Sequence, residues 1–507
     1  MKFILFIMLL SVPAVWQIIA PGFFPMHDDI QVARVEQMFV ALKSGQFPVR
    51  WVPDLGYGYG YPIFNFYNPL AYYFGAAFMF LGLDALEATK LMFIFPVLVS
   101  GISMFIFSKL FLSDFASGFA GLLYVYAAYH AVQIYVRGAV AEYWAYALLP
   151  LVFYAIWKRK IIFAGLTLAA LIASHNLTAF MTIPFLVLLF LFRYFKISKL
   201  KNFNNDNLIL ILFRGMVPLM IGLGLSAFFW LPSILESPKT LVSQMVFEKF
   251  DPPSKHVVYP LQLWSGVWGY GGSSAGIDDG LSFQIGKIHL IGSLAAIAIL
   301  LYCYIVKRKE IQLTIEQFNN LAIFSVVGLI LSVFILLPLS RPIWDAFPVL
   351  SYIQFPWRFL TFVSLFSSLL TAWAITMVLN LIVKKEAMKN VAFIASCFLL
   401  LVSYIKFFQP QFKFPVTADE LITREKLVWD YSRISYEYLP KGFIPPINAE
   451  VALRVDNKQN QLLVDSLKEQ TMVRRVANII SLFTFITFIA FVVVIPFCKK
   501  NGQNLSS

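Results

Sequence analysis

Met26-His-Asp-Asp29 directly follows the first apolar segment, and after a short helical run the chain reads Phe47-Pro-Val-Arg-Trp-Val-Pro-Asp-Leu-Gly-Tyr-Gly-Tyr-Gly-Tyr-Pro62. The first motif puts a histidine and two adjacent carboxylates beside an apolar run. The second is too rich in glycine, tyrosine and proline to cross lipid, where every backbone polar group needs a partner. The rest of the chain is therefore predicted to be a scaffold that holds this loop and covers it.

The composition is that of an integral membrane protein. Of 507 residues, 59% are hydrophobic and 13% are charged, and the mean hydropathy is +0.74. Soluble domains carry about 25% charged residues. The net charge of +13 comes from short basic clusters between apolar runs, which is typical of cytoplasmic loops and does not indicate nucleic acid. The three cysteines show no disulfide or metal-binding spacing.

Hydropathy predicts an all-α polytopic membrane protein with about twelve spans. The candidate spans are 3–20, 91–110, 117–136, 143–157, 161–174, 177–193, 208–231, 287–306, 319–339, 359–383, 391–408 and 475–497. Leu70–Leu83, about 14 residues long, is too short to cross and is predicted to be a re-entrant or interfacial helix. With both ends inside, this count puts five basic clusters in the cytoplasm: Lys158–Lys160, Arg193–Lys201, Lys307–Lys309, Lys384-Lys385 and Lys499-Lys500.

The same topology gathers the ordered polar loops on the outer face of the plasma membrane. The predicted organisation is a transmembrane module at 1–231 with a first outer loop at 21–90, an outer loop at 232–286, further spans at 287–408, a small outer segment at 409–474, and a last span with a cytoplasmic tail at 475–507. Because polar chemistry collects on this face, we expect the active site there.

Asp28 and Asp29 are the candidate catalytic residues, with His27 beside them. Charges near lipid default to functional sites because they are costly without water or a partner. A carboxylate here could act as general base toward an acceptor hydroxyl. Alternatively, one of the two caps the helix that follows, Ile30–Lys43.

The second half of the loop offers Arg50, Asp54 and Tyr57 as binding residues. Arg50 could pair with a phosphate, or it could anchor the loop at the interface together with Trp51. The alternating tyrosines from Tyr57 onward could wall a sugar or lipid site by stacking, and a packed turn is the alternative.

Further candidates lie between the predicted spans. Arg137 and Glu142 either form a structural ion pair or face a lipid phosphate and orient a sugar or metal. His175 and Asn176 break a long apolar run, either as a site or as the cap of a helical hairpin. Arg358 could bind an anionic head group, or it could snorkel. Walker, HExxH, GxSxG and Cys-x-x-Cys motifs are absent.

These motifs, in this order, resemble the GT-C superfamily of membrane glycosyltransferases. More closely, the chain resembles the integral membrane proteins labelled "6-pyruvoyl-tetrahydropterin synthase-related", a label that implies no pterin chemistry here. The stretches that carry the resemblance are His27-Asp28-Asp29, Arg50–Pro69, Arg137–Glu142, His175–Thr178, Trp230-Leu-Pro232, Gln354–Arg358 and Glu437–Pro440.

The resemblance implies a GT-C-like helix bundle that transfers a sugar from a polyprenyl-phosphate donor to a glycan, lipid or protein acceptor. Asp28 or Asp29 would supply the catalytic carboxylate. Related enzymes usually carry an acidic motif in a second outer loop, which corresponds here to residues 137–142. These residues depart from a strict Asp-x-Asp, so whether the chain uses a divalent metal stays open. A transporter or flippase for a lipid-linked sugar, and a non-catalytic glycan-assembly protein, are the alternatives. Transporters often show internal repeats, and this sequence has none.

Overall fold

The computed structural model describes residues 2–198, 205–245, 251–306, 309–383 and 385–503. Within them the chain is helical, and the extended pairing consists of four isolated β-bridges. The predicted all-α class is therefore confirmed. Parts of three predicted basic clusters, at 199–201, 307–308 and 384, lie outside the described residues.

The α-helices of the described residues are numbered in chain order. They are α1 (Lys2–Ile19), α2 (Gln31–Lys43), α3 (Ile63–Phe66), α4 (Leu70–Phe80), α5 (Ala85–Ser108), α6 (Asp114–Val125), α7 (Ala128–Ala131), α8 (Val140–Trp157), α9 (Ile161–Ser174), α10 (Asn176–Ser198), α11 (Asn205–Leu225), α12 (Ala227–Glu236), α13 (Val242–Gln244), α14 (Pro260–Trp264), α15 (Lys287–Val306), α16 (Lys309–Leu336), α17 (Arg341–Ala346), α18 (Leu360–Ile382), α19 (Glu386–Tyr404), α20 (Ala418–Leu421), α21 (Tyr431–Ile434), α22 (Ala449–Arg454), α23 (Lys458–Lys468) and α24 (Met472–Gln503).

Six helical segments of the described chain are long and apolar enough to cross a membrane, or up to nine if each bent pair is one span. The predicted count of twelve is not confirmed. Three of the predicted spans are bent pairs, with breaks of 42°, 73° and 80°, and hydropathy alone does not detect such bends. Others are shorter apolar helices, among them Ile161–Ser174 and Lys287–Cys303.

The apolar run after the first loop forms the short helix α4. Its 11 residues extend about 16 Å at the helical rise, about half the hydrocarbon thickness of a bilayer. It packs against α2, α5, α8 and α9. This length agrees with the expectation that the run does not cross on its own.

The buried apolar side chains form one cluster that reaches from α1 to the 409–474 segment. In it α5 packs on α6 and α8, α15 and α16 pack on α18, and α12 packs on α24. The first loop is bounded by this cluster, and its tyrosines are covered by the 409–474 segment. Tyr61 is fully buried. Its hydroxyl accepts a hydrogen bond from the backbone amide of Tyr438 at 3.2 Å.

Candidate functional site

The turn that carries Asp28 is held by the backbone of the Arg137 loop. The amides of His27 and Asp28 donate to the carbonyls of Val136 and Arg137, both at 3.0 Å. Gln31 Nε2 donates to the carbonyl of Gly138 at 2.8 Å. These bonds bring two motifs that are more than a hundred residues apart in sequence into direct contact.

Two local features make that contact possible. Residues 132–136 form a π-helical turn directly before Arg137, and such turns are frequent at functional sites. Gly138 has φ +59°, and a Cβ there would lie 2.2 Å from Met26 Sδ. Only glycine fits this position without displacing the chain beneath Asp28.

The carboxylates of Asp28 and Asp29 are both partly exposed and unpaired. Neither is joined to any of the described residues by a side-chain hydrogen bond or an ion pair. Neither caps α2, because Ile30 occupies the cap position and no side-chain cap bond is formed. Asp28 nevertheless interacts electrostatically with three buried arginines, Arg34, Arg137 and Arg358.

Arg137 and Glu142 form the ion pair that the sequence left as one alternative. Arg137 Nη1 lies 2.8 Å from Glu142 Oε2, with side-chain exposures of 10% and 2%. Glu142 Oε1 also accepts from the Tyr129 hydroxyl and from Gln133 Nε2, so its carboxylate is fully occupied. The Arg137 guanidinium stacks on the Trp357 ring at 4.6 Å. Its bonds to the described residues use Nη1 alone.

Arg358 lies on the other side of the same carboxylate. Its Nε is 3.8 Å from Glu142 Oε2 and has no hydrogen-bond partner among the described residues. Its terminal nitrogens donate to the carbonyl of Ile353 and to Gln354 Oε1. The side chain is therefore buried and tethered, not extended to the membrane surface.

Two other predicted residues flank this group. His175 lies within electrostatic range of Glu142, Arg137 and Arg358. Its Nδ1 contacts Thr178 Oγ1 at 2.7 Å and accepts from the Thr178 amide, which is the hairpin cap expected as an alternative. Asn176 Oδ1 accepts from the amide of its neighbour Leu177 and makes no described contact with the arginines.

Sequence reasoning missed Arg34, which is as buried as the other two arginines. Its Nη1 and Nη2 donate to the Tyr72 hydroxyl and to Ser435 Oγ at 3.3 and 3.1 Å. The guanidinium lies 4.4 Å from the centre of the Tyr67 ring, and Nε is buried without a partner among the described residues. The only sequence signal is its position three residues after Gln31, on the same face of α2.

Glu437 belongs to one of the motifs that carry the family resemblance, but it was not predicted as a site residue. Its Oε1 accepts from Ser435 Oγ at 3.0 Å, and it lies within electrostatic range of Arg34 and Asp28. Burial raises the pKa of Glu437 above its usual value, and Arg34 opposes that shift.

We call Asp28, Arg34, Arg137, Glu142 and Arg358 the open cluster.

Asp29 faces a different neighbour, Lys426. Burial raises the pKa of Asp29 to about 6, and the attraction of Lys426 opposes this rise. Lys426 begins the second π-helical turn of the described residues, Lys426–Asp430. The two aspartates therefore have separate surroundings, the arginines for Asp28 and the 409–474 segment for Asp29.

Arg50 belongs to a second buried group. Its Nη1 and Nη2 donate to Asn65 Oδ1 at 2.9 Å and to Asn478 Oδ1 at 2.7 Å. Asn65 and Arg474 in turn donate to Glu236 Oε2, both at 2.9 Å. Burial, together with Arg474, lowers the pKa of Arg50 to about 10. We call Arg50, Asn65, Glu236 and Arg474 the closed network.

The remaining predicted residues have structural partners. Asp54 is exposed and exchanges two hydrogen bonds with Gln37. Tyr57 is buried with φ +59°, and its ring stacks on Phe443 with centroids 6.0 Å apart. His27 is exposed and its Nε2 lies 3.0 Å from the carbonyl of Tyr270. The packed turn expected as the alternative for the tyrosines is present.

The open cluster can bind an anion and accept a proton in the same place. Each of the three arginines exposes 9% or less of its surface, and Asp28 supplies an unpaired carboxylate beside them. Among the described residues no group of three or more His, Cys, Asp or Glu could hold a metal ion.

Known proteins resemble this chain at low identity. An uncharacterised protein of Lactococcus lactis subsp. cremoris is 28% identical over 252 residues, which cover 47% of this chain and 40% of that protein. The Archaeoglobus fulgidus oligosaccharyltransferase AglB, solved with an inhibitory peptide and a dolichol-phosphate, has 13% identity and a TM-score of 0.48, covering 87% of this chain and 56% of its own. Arabinofuranosyltransferase AftD from Mycobacteria has 12% identity and a TM-score of 0.49, covering 82% and 28%.

A family model gives the firmer assignment. The model described as 6-pyruvoyl-tetrahydropterin synthase related domain, membrane protein, matches residues 64–410. The match covers more than half of the chain, including the motifs that contain Arg137, Glu142, His175 and Arg358. It confirms the family resemblance that was drawn from the sequence. The chain belongs to the 6-pyruvoyl-tetrahydropterin synthase related family of membrane proteins.

Proposed function

We propose that this chain is a membrane glycosyltransferase that takes a sugar from a polyprenyl-phosphate donor. The observation that carries the proposal is the open cluster. An unpaired and partly exposed carboxylate, Asp28, lies within electrostatic range of three buried arginines, Arg34, Arg137 and Arg358. A general base and a phosphate-binding group are what this transfer requires.

The reaction balances with groups that the chain supplies. The acceptor hydroxyl oxygen attacks the anomeric carbon and loses its proton to the Asp28 carboxylate. The bond between the anomeric carbon and the phosphate oxygen breaks, and the polyprenyl phosphate leaves with the bonding electrons. Arg34, Arg137 and Arg358 stabilise the charge that develops on that oxygen. Buried arginines suit this role because they stay charged and present several donors in a fixed geometry.

Asp28 is favoured over Asp29 as the base. Asp28 is the aspartate that interacts with the arginines, whereas the described neighbour of Asp29 is Lys426. The resemblance implies a glycan, a lipid or a protein as the acceptor. We expect it to reach the cluster from the partly exposed side of Asp28. Arg50 is not assigned to the donor phosphate, because its described electrostatic partners are Arg474, Glu236 and Tyr73 and do not include Asp28.

The test is transfer by the purified full chain from a panel of labelled polyprenyl-phosphate hexoses. Asp28→Asn should lower turnover by about 10²–10⁴-fold, the usual worth of general-base catalysis. Asp29→Asn should lower it far less. Asp465→Asn, a change at an exposed aspartate of α23, is the matched control.

The same assay separates the alternatives. Release of polyprenyl phosphate by the wild type, lost in Asp28→Asn, supports the transferase. Undiminished release by both Asp28→Asn and Asp29→Asn would show that neither carboxylate is the base. Movement of the donor across vesicle membranes without cleavage would support the transporter instead.

A further inference from the structure

A cavity of about 420 Å³ lies between the 232–286 loop and the end of α19. Its lining residues are Ser265, Gly266, Trp268, Gln284, Lys287, Lys406, Phe407 and Gln409. None of these residues belongs to the open cluster or to the closed network. The volume lies within the range of about 300–1,000 Å³ that small-molecule sites usually have.

No carboxylate of the lining balances the charge of the cavity, and the ammonium partners of Lys287 and Lys406 are the rings of Trp264 and Phe407. Its lining contains Lys287 and Lys406 and no acidic residue. Neither lysine forms an ion pair with any described side chain. Lys287 is also the first residue of α15, a helix of 20 residues, so the positive end of the helix dipole adds to the two ammonium groups. An anion bound here would meet three positive contributions.

The cavity has one rigid aromatic wall. The Trp268 ring packs on Phe407 with centroids 4.7 Å apart, which fixes its position. Its indole Nε1 is buried, so it has no surface open to the cavity. The polar groups left for a ligand are those of the lysines and the two glutamines.

We propose that this cavity binds a phosphate group carried by a small polyol, either a sugar or a glycerol headgroup. The lysines neutralise the phosphate, while Gln284 and Gln409 contact the hydroxyl groups. Lysines that only snorkelled to the membrane surface would not need a cavity. The phosphate could come from a lipid headgroup or from a soluble sugar phosphate.

Tyr270 joins the cavity to the first outer loop, which carries His27 and Asp28. The Tyr270 hydroxyl donates to the carbonyl of Gln409, which lines the cavity, at 2.8 Å. The carbonyl of the same tyrosine contacts the His27 ring, next to Asp28. This connection places the phosphate site beside the proposed transferase site, but binding in the cavity does not depend on sugar transfer.

Binding is tested by calorimetry on the purified full chain. A hexose monophosphate should bind to the wild type, and the unphosphorylated hexose should not. In the double variant Lys287→Gln/Lys406→Gln, affinity should fall by at least about tenfold, because hydrogen bonds to charged groups are lost. Trp268→Phe, which keeps a ring but removes the buried N–H, should bind nearly as the wild type does. Lys441→Gln, at an exposed lysine of the 409–474 segment, should bind as the wild type does.

Nanodiscs distinguish the two sources of the phosphate. If the natural ligand is a lipid headgroup, discs of phosphatidylglycerol should suppress hexose-phosphate binding relative to discs of phosphatidylcholine. Equal binding in both lipids supports a soluble ligand. Equal affinity of the wild type and the double variant, with both folded by circular dichroism, would overturn the proposal. So would the absence of phosphate-dependent binding to the wild type in detergent and in phosphatidylcholine discs.

Discussion

The open cluster and the closed network contain the same kinds of side chain but differ in how completely these are paired. In the closed network, Glu236 accepts from Asn65, Thr471 and Arg474. The other nitrogens of Arg474 donate to backbone carbonyls at 467–469. In the open cluster, the Asp28 carboxylate and the Nε atoms of Arg34 and Arg358 have no hydrogen-bond partner among the described residues.

This difference separates a structural role from a binding role. Buried polar groups in proteins are almost always hydrogen-bonded, and each exception requires an explanation. In the closed network both oxygens of Glu236 and all three nitrogens of Arg474 are bonded, and the bonds of the network tie the first loop to α12 and α24. In the open cluster, Glu142 pairs with Arg137 and Arg358, whereas the partly exposed Asp28 carboxylate is left for a ligand or water. The arginine that the sequence placed nearest to the Tyr-Gly loop, Arg50, is therefore assigned to the scaffold.

The largest effect on stability is expected from Glu236→Ala. The change leaves Arg474, which exposes 4% of its side chain, without its counter-charge. Breaking a buried pair from one side costs about 3–5 kcal/mol. Thermal unfolding of the purified protein should therefore shift strongly downward, and Asp28→Asn should leave it nearly unchanged.

The matched control for Glu236→Ala is Glu450→Ala. Glu450 pairs with Arg454 on α22, and the two side chains are 75% and 59% exposed. Exposed pairs of this kind contribute little, so the unfolding temperature should hardly move. If Glu236→Ala were equally mild, the closed network would not be the structural joint inferred here.

A smaller effect, on catalysis, is expected from Arg34→Lys. Lysine keeps the charge but loses the fork of donors and the stacking on Tyr67. The proposed role in donor binding predicts a loss of about tenfold in kcat/KM, since one charge-assisted hydrogen bond is removed. The unfolding temperature should change little, because the Tyr72 and Ser435 hydroxyls keep their hydrogen bonds to Gln31 and Glu437.

Arg433→Lys is the comparison for Arg34→Lys. Arg433 is exposed and lies two residues before Ser435, and its 3.8 Å contact is with Asp430. Steady-state kinetics with the lipid donor should be unaltered in this variant. Equal kinetics for Arg34→Lys and the wild type would remove Arg34 from the open cluster.

Much of the fold could be predicted from the sequence because local signals determine it. Long apolar runs predict the helices, and the short run at 70–83 predicts a helix unable to span. The bends were not predictable in this way. The break between α11 and α12, for example, occurs inside one apolar run, where hydropathy does not change.

The candidate site was less predictable, since its contacts join distant parts of the chain. Arg34 and Ser435 are 401 residues apart in sequence, and Arg50 and Asn478 are 428 apart. From the local sequence alone, Arg34 would be placed on a polar face of α2, because the segment that buries it lies about 400 residues further along the chain. The reverse holds for Asp28 and Asp29. Their position at the start of α2 suggests a cap, whereas Asp28 is drawn toward the Arg137 loop by its backbone.

The smallest expected effect is a pH-dependent change in stability when Asp29 is replaced. In the folded protein, burial raises the pKa of Asp29 to about 6 from an ordinary 3.8. The folded state therefore binds this proton more tightly than the unfolded chain does, so the stability that it contributes is complete below about pH 4 and is lost as the pH rises through about 6. Asparagine carries no such proton. Relative to wild type, the free energy of unfolding of Asp29→Asn should rise by about 1 kcal/mol between pH 4 and 7.5, a value discounted for partial exposure.

That gain corresponds to roughly 2 °C in the difference between the two unfolding temperatures. Scanning calorimetry across this pH range should detect it, and Asp465→Asn should give a constant difference. A constant difference for Asp29→Asn as well would mean that its carboxylate is as hydrated as that of Asp465. Asp29 would then lie outside the buried part of the site.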